Sequence, residues 1–184
     1  MIQLHNKNSI YFKSKPLYDV KIYDGQKAVP AKFTQLDVTD DEDVKAMKDV
    51  AKIWKGDQYS EKITSAFIRH AESPKSQYSY YALELDKPGI SLGKKIKGLV
   101  FYFNPSPSVL KLFNVQVSPD SKRNALDRKY KNVGTSLISG LIKEVNDNIS
   151  RITTKTVQKE FYKNLGFRDT EPDKSLSEMV LDLK

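Results

Sequence analysis

The chain has 184 residues, of which 39% are hydrophobic and 29% charged, as is typical of a soluble globular protein. It contains no cysteine, which excludes disulfides, thiolate zinc sites and a cysteine nucleophile; with His5 and His70 as its two histidines, we expect no bound metal. A net charge of +8 favours an anionic partner such as a phosphorylated cofactor or a nucleic acid, although a lysine-rich surface that keeps the protein in solution explains it equally well.

The N-terminal residues predict neither export nor a membrane anchor. Met1 to Lys7 lack the long apolar core of a signal peptide, and no stretch of the chain has the length of a membrane-spanning helix. We therefore expect a cytoplasmic protein with no membrane partner. The length fits a single domain over residues 1–184, in which residues 1–30 form an N-terminal extension.

The N-terminal third predicts a hairpin and a short strand. Asp24-Gly25 lies between Val20–Tyr23 and Gln26–Val29, which is a hairpin signature. Pro30 then leads into a strand at Phe33–Leu36.

Two helices are predicted next. Thr39–Glu42 resembles a helix start with an N-cap and an acidic first turn, and apolar residues recur at helical spacing as far as Trp54. A second helix is predicted from Ser60 to Ala71, with His70 at the end of its apolar stripe.

The remaining chain changes from strands to alternating elements. Tyr78–Leu85, Ile96–Phe103 and Val109–Val117 are rich in aromatic and β-branched residues and predict an antiparallel meander. The elements predicted after it are a helix at Val133–Val145, a strand at Ile149–Thr153, a helix at Thr156–Leu165 that stops at Gly166, and strands at Gly166–Asp169 and Glu178–Leu183. This order predicts a mixed α+β, or α/β, domain.

A basic turn before the helix at Val133–Val145 has the properties of an anion site. The first N–H groups of a helix lack intrahelical partners, and Gly134 lets an anion approach the backbone closely. Asn132 tolerates a positive φ, which aims several N–H groups inward. Arg128, Lys129 and Lys131 add positive charge. These residues suit a pyrophosphate, although a capped surface helix with scattered lysines gives the same pattern.

A second motif decides between these interpretations. Val117-Ser-Pro119 is followed by Lys129-Tyr-Lys-Asn132-Val-Gly134, and later by Phe161-Tyr162-Lys-Asn-Leu-Gly166-Phe167. In this order and separation the motifs resemble those of the GNAT superfamily of N-acetyltransferases, over roughly residues 95–183. The resemblance implies a central, twisted, mostly antiparallel sheet flanked by helices, in which the fourth and fifth strands of the family fold splay apart.

The resemblance also implies an activity and a site. The family binds acetyl-CoA where two parallel strands separate, here Leu112–Val117 and Ile149–Thr153, and an amine attacks the thioester directly. A backbone N–H near Val117 would polarise the thioester carbonyl. Tyr162 matches the tyrosine that protonates the departing thiolate. The cofactor-binding residues implied are Val115, Val117, Arg128, Lys129, Tyr130, Lys131, Asn132, Val133, Gly134, Thr135 and Tyr162, with no metal.

The sequence departs from the family pattern around the turn. Lys129 replaces the usual arginine or glutamine, Asn132 replaces the first glycine, and residues 121–126 are additional. Because the turn acts through backbone amides, we expect cofactor binding to survive these changes.

The acceptor and its general base are left open. A small-molecule or protein amine is expected as acceptor, and a homodimer is one arrangement that the sequence allows. Glu84, Asp86 and His70 are base candidates, each with an ordinary structural explanation as a surface charge or a half-buried helix residue. The alternative functions are an acetyltransferase directed at tRNA or another nucleic acid, which is not favoured, and a catalytically weak acyl-CoA-binding regulatory module.

Overall fold

The residues that the structure describes form nine strands, which belong to one sheet. The computed structural model describes residues 14–74, 77–145 and 147–183, so His5 and the first 13 residues of the predicted extension lie outside it. The strands are β1 (Lys15–Asp24), β2 (Lys27–Leu36), β3 (Tyr78–Leu85), β4 (Ile96–Ser106), β5 (Val109–Val117), β6 (Tyr130–Lys131), β7 (Arg151–Thr156), β8 (Arg168–Asp169) and β9 (Ser177–Asp182). Their order across the sheet is β6-β1-β2-β3-β4-β5-β7-β9-β8. Among these strands of the described residues, β5 and β7 are parallel neighbours and all other neighbours are antiparallel.

Helices cover both faces of the sheet. They are α1 (Asp41–Ile53), α2 (Gln58–Glu72), α3 (Leu92–Lys95), α4 (Val133–Val145) and α5 (Lys159–Lys163). One core cluster contains Phe67 of α2, Tyr80 of β3 and Trp54, the residue that caps the C-terminus of α1. The opposite cluster contains Leu137 of α4 and Tyr162 of α5. The predicted fold class, a mixed and mostly antiparallel sheet flanked by helices, is confirmed.

Capping residues set the starts of α1 and α2. Asp40 accepts hydrogen bonds from the N–H groups of Glu42 and Asp43, at 2.8 and 3.0 Å. Asp57 accepts one from Tyr59 at 3.4 Å. Each cap satisfies N–H groups that have no partner inside the helix. None of the helices formed by the described residues is long and apolar enough to cross a membrane.

The predicted hairpin forms, but it is longer than expected. Gly25 adopts a φ of +61° in the turn, and β2 continues through Pro30 to Leu36 as one strand. The carbonyl of Pro30 accepts a hydrogen bond from Asp86, just beyond the end of β3. Since the N–H and carbonyl of a strand residue point the same way, the missing proline N–H would lie beyond β3, where no ladder bond is needed.

The C-terminal elements differ most from prediction. The expected strand at Ile149–Thr153 is shifted to Arg151–Thr156, and the expected helix at Thr156–Leu165 shrinks to Lys159–Lys163. The threonines up to Thr156 remain extended because β7 pairs with β9 as far as Thr156 and Ser177. The short elements α3, β6 and a 3₁₀ turn at Pro119–Ser121 were not predicted.

Two carboxyl groups lie between α1 and the sheet, that of Asp43 and that of the half-buried Glu84. Asp43 is completely buried, and one oxygen atom of Asp43 and one of Glu84 make no hydrogen bond to any described residue. Burial raises the pKa of Asp43 to about 6 and that of Glu84 to about 7. Repulsion between the two carboxylates raises the pKa of Glu84 further. Glu84 is therefore not the solvent-facing charge expected from the sequence.

Because of these two carboxyl groups, we expect the free energy of unfolding to fall as the pH rises. Unfolding returns both carboxyls to ordinary pKa values, so between about pH 4 and pH 7 the folded chain holds more protons than the unfolded chain. We expect Glu84→Gln to match the parent at pH 5 and to exceed its free energy of unfolding at pH 8 by about 1–2 kcal/mol. Urea denaturation at both pH values measures this, with the exposed Glu72→Gln as control. Equal pH dependence in parent and Glu84→Gln would contradict it.

Candidate active site

Strands β5 and β7 separate partway along their length. They pair from Val109 with Arg151 to Leu112 with Thr154, and the pairing ends there. Beyond this point β5 stays paired with β4 as far as Val117, while β7 stays paired with β9. Between Phe113 and Val117, the edge of β5 that faces β7 therefore has no partner strand from the described part of the chain. The sequence predicted that these two strands separate, and β5 and β7 do separate in the structure.

A β-bulge in β5 lies directly at the divergence. Phe101 of β4 pairs with Asn114 and Tyr102 pairs with Leu112, which leaves Phe113 as the additional residue. Phe113 and Asn114 consequently both face α2, and the Asn114 side chain donates a hydrogen bond to the Tyr59 carbonyl at 3.1 Å. Bulges of this kind redirect side chains and are frequent beside functional sites.

Thr154 and Tyr162 lie at the point of separation, on the α4 and α5 face of the sheet. The buried Thr154 hydroxyl donates to the Leu112 carbonyl across the last paired residues, at 3.4 Å. Tyr162 is 6% exposed, and its hydroxyl lies beside that of Thr154. Burial raises the pKa of the Tyr162 phenol to about 12, although a hydrogen bond between the Tyr162 and Thr154 hydroxyls acts in the opposite direction. Tyr162 therefore keeps its proton at neutral pH.

The Phe-Tyr-x-x-x-Gly-Phe motif forms the helix end that orients Tyr162. Gly166 has a φ of +89°, and its N–H donates to the Lys163 carbonyl at 2.9 Å. The N–H of Phe167 donates to the Tyr162 carbonyl at 3.1 Å, and the two rings meet edge to face with centroids 5.2 Å apart. This is the glycine-terminated Schellman arrangement, which needs a glycine at the left-handed position.

The turn before α4 has the backbone conformation expected from the sequence. Asn132 has a φ of +63°, and it is the one non-glycine residue with a positive φ among the described residues. It precedes the first helical residues, Val133 to Thr135, whose N–H groups have no intrahelical partner. A left-handed residue beside helical ones makes a concave array of N–H groups that suits an anion.

The other residues predicted around this turn divide into two groups. Tyr130 and Val133 are buried in the core, so their side chains act in packing. Lys129, Lys131 and Thr135 are exposed at the turn, and Arg128 donates to the Tyr130 carbonyl at 3.4 Å. Val115 and Val117 lie half-buried on the face of β5 that packs on α4 and α5.

Gly134 lies close to both α5 and β5. A Cβ atom at this position would come within 3.3 Å of the Phe161 ring and 3.7 Å of Val117. The glycine thus permits close packing as well as access to the backbone.

The additional residues near 121–126 form one wall of a cavity at the mouth of the separation. Asp120 anchors this loop: it binds Lys97 at 3.0 Å, and its carbonyl accepts from the Lys129 N–H at 2.8 Å. The cavity has a volume of about 430 Å³. Its lining residues are Gln116, Val117, Lys122, Arg123, Asn124, Ala125 and Gln158.

Asp57, the cap of α2, connects this loop to β5. Its carboxylate forms an ion pair with Lys122 at 3.0 Å and accepts hydrogen bonds from Ser60 and Gln116. Burial acts to raise the pKa of Asp57, but the bonds from Ser60, Lys122 and Gln116 hold it below its usual value. The ionised carboxylate thereby holds α2, β5 and the loop together. No local pattern in the sequence indicated this contact.

The base candidates lie in different places. Glu84 lies near Asp43 of α1, at the end of β3 remote from Tyr78, and Asp86 pairs with Lys32 at 3.7 Å on the surface. His70 is half-buried, as expected, and lines a cavity with Tyr78 beside the bulge. Among the residues that the structure describes, no group of three histidine or acidic side chains could hold a metal ion.

The solved structures that match this architecture include several acetyltransferases. An acetyltransferase of the GNAT family from Desulfovibrio desulfuricans matches with a TM-score of 0.58 at 12% identity, over 84% of this chain and 99% of its own. The chain has the GNAT fold. The aminoglycoside 6'-N-acetyltransferase from Enterococcus faecium matches with a TM-score of 0.55 at 14% identity, over 83% and 97%.

A third structure with the GNAT fold was solved with a ligand. The Campylobacter jejuni N-acetyltransferase PseH, in complex with acetyl coenzyme A, matches with a TM-score of 0.54 at 13% identity. The match covers 83% of this chain and 99% of PseH. No protein-family model matches the sequence, and neither does any curated protein. At these identities the comparisons establish the fold.

The left-handed turn predicts a specific response to substitution at position 132. Asn132→Ala should lower the free energy of unfolding by about 1 kcal/mol, because alanine tolerates a positive φ poorly, whereas Asn132→Gly should change it little. Urea denaturation measures both, with Asn148→Ala as a control at an exposed asparagine that lacks a positive φ. Equal stability of Asn132→Ala and the parent would contradict the assigned conformation.

Proposed function

We propose that the protein is an acetyltransferase that transfers the acetyl group of acetyl-CoA to an amine. The observation that carries this proposal is the buried, protonated Tyr162 beside Thr154 at the separation of β5 and β7. The GNAT fold, and the acetyl-CoA complex of the PseH neighbour, support it.

The chain's own groups suit acetyl-CoA as the substrate. The N–H groups after Asn132 would hold the pyrophosphate, with Lys129 and Lys131 adding charge nearby. The unpaired edge of β5 between Phe113 and Val117 offers backbone donors and acceptors to an extended amide-containing chain. Arg128 and Arg123 lie in the same basic region, and Arg123 lines the cavity at the mouth of the separation.

The reaction needs no nucleophilic side chain. Bound acetyl-CoA would supply an acetyl group activated as a thioester. The acceptor nitrogen forms its bond to the acetyl carbon as the carbon–sulfur bond breaks, and the nitrogen loses a proton to solvent. Backbone N–H groups of the free β5 edge would polarise the thioester carbonyl as negative charge develops on its oxygen.

We assign Tyr162 the role of protonating the departing sulfur, after which the phenolate regains a proton from solvent. A phenol whose pKa is raised to about 12 by burial remains a proton donor throughout the neutral range. The Thr154 hydroxyl would fix the position of the Tyr162 oxygen, since it is itself held by the Leu112 carbonyl.

A negative charge at the start of α4 should have opposite effects on two quantities: it should stabilise the helix and weaken cofactor binding. Thr135→Glu places a carboxylate in the first turn, where it stabilises the helix but repels a pyrophosphate. We expect unfolding stability to be kept or raised, while CoA affinity falls about ten-fold or more. Thr135 is exposed, unlike the packed Gly134.

The matched control is Ser139→Glu, one turn further along the same exposed face of α4. It should weaken CoA binding much less, because the charge is farther from the turn and is screened by solvent. Calorimetric titration with CoA measures both variants. Equal affinity of Thr135→Glu and the parent would contradict the position assigned to the pyrophosphate.

Tyr162→Phe tests the proposed chemistry. The substitution keeps the ring and its packing but removes the hydroxyl, so folding and CoA affinity should change little. We expect kcat to fall by roughly ten- to a thousand-fold, with little change in KM, as for loss of a positioned general acid. The measurement is release of thiol from acetyl-CoA in the presence of an accepted amine.

The control for this experiment is Tyr81→Phe. Tyr81 is a buried tyrosine in the same core, with its hydroxyl 3.4 Å from that of Tyr102 and no role in the site. Removal of the Tyr81 hydroxyl in Tyr81→Phe should leave kcat unchanged. If Tyr162→Phe turned over at the parent rate, Tyr162 would be a packing residue.

A further inference from the structure

A second cavity lies on the α2 face of the sheet, beside the bulge. Its volume is about 320 Å³, which is enough for a small organic molecule. It is lined by Lys62, Ala66, Arg69, His70, Tyr78, Phe101, Phe113 and Asn114. Phe113 and Asn114 directly follow Leu112, the last residue of β5 that pairs with β7. The cavity therefore adjoins the place where the proposed reaction occurs.

Aromatic rings form the walls of this cavity. His70 stacks on Tyr78 with ring centroids 4.4 Å apart, and Tyr78 contacts Phe101 at 5.5 Å. Phe101 stacks in turn on Phe113 at 5.4 Å. Phe113 is nevertheless 51% exposed, so a large flat surface faces the cavity. Stacked and edge-to-face contacts with such rings favour an aromatic ligand.

Buried contacts behind the walls fix them in place. The Nδ1 atom of His70 is 2.6 Å from the hydroxyl of Tyr80, which is itself buried. Tyr80 also stacks on Phe101, with centroids 4.6 Å apart. Because these rings are already ordered, binding would cost little conformational entropy.

The charges at the cavity have one sign. Lys62 and Arg69 line it, and the Nζ atom of the neighbouring Lys111 is 5.9 Å from the centroid of the Phe113 ring. None of the eight lining residues is acidic. Such a cavity attracts an anionic group and repels ligands with several ammonium groups, such as polyamines and aminoglycosides.

We propose that this cavity binds the acceptor, and that the acceptor is a small amine with an aromatic ring and a carboxylate. The inference rests on the proposed acetyl transfer and adds to it the chemical class of the substrate. The aromatic walls take the ring, Lys62 and Arg69 take the carboxylate, and the amine lies toward the bulge at Phe113.

The experiment uses three acceptor pairs that differ in one charge. Phenylalanine, tryptophan and 4-aminobenzoate are each compared with their carboxyl amides, and spermidine serves as the polycation. Thiol release from acetyl-CoA reports transfer, and calorimetric titration in the presence of CoA reports binding. In at least one pair the carboxylate form should bind about ten-fold more tightly than its amide, as expected for two partly exposed ion pairs.

Reversing the charge of one lining residue tests whether this cavity is the binding site. Arg69→Glu, at an exposed position of α2, should reverse the preference between the carboxylate and its amide, whereas Lys48→Glu on α1 should leave it unchanged. A parent chain that prefers amides or spermidine, binds none of the carboxylates, or keeps its preference in Arg69→Glu would overturn the proposal. A different result would separate the two proposals. If the parent preferred carboxylates, Arg69→Glu reversed that preference, and no amine were acetylated, acetyl transfer would be overturned while the proposed class of ligand would be supported.

Discussion

Strand β5 has neighbours on both sides over only half its length, because its parallel partner β7 turns away after Thr154. An open strand edge inside a sheet exposes backbone groups that must find other partners. Here that edge runs beside the turn before α4, so the backbone that the sheet leaves unpaired becomes available to a ligand. The bulge at Phe113 and the hydroxyl of Tyr162 both lie at this point of separation.

Two left-handed residues fix the elements on either side of the separation. Asn132 turns the chain into α4, and Gly166 ends α5 behind Tyr162. Each of these conformations is unfavourable for most side chains, so the surrounding contacts must stabilise it. At Gly166 these contacts are the hydrogen bond from Phe167 to the Tyr162 carbonyl and the packing of their rings.

The sequence predicted the features that local patterns encode. Asn132 and Gly166 are recognisable because backbone conformation restricts the residue type, and the order of strands and helices follows from hydrophobic periodicity. The bulge was not predicted, since nothing in the sequence around Phe113 distinguishes a bulged strand from a regular one. Asp57 and Thr154 were missed for a related reason: their partners, Gln116 and Leu112, are distant in the chain, and such contacts follow from the packed fold.

The ionised Asp57 at the start of α2 has a thermodynamic consequence. One carboxylate holds both the loop at Lys122, beside the proposed cofactor site, and the helix that carries Lys62 and Arg69. A ligand that moved Lys122 away from Asp57 would remove one contact of the carboxylate that caps α2, and linkage requires any resulting change in affinity to be reciprocal. Two ligands, one on each side of the sheet, would be coupled through this side chain if each favoured a different arrangement of Asp57.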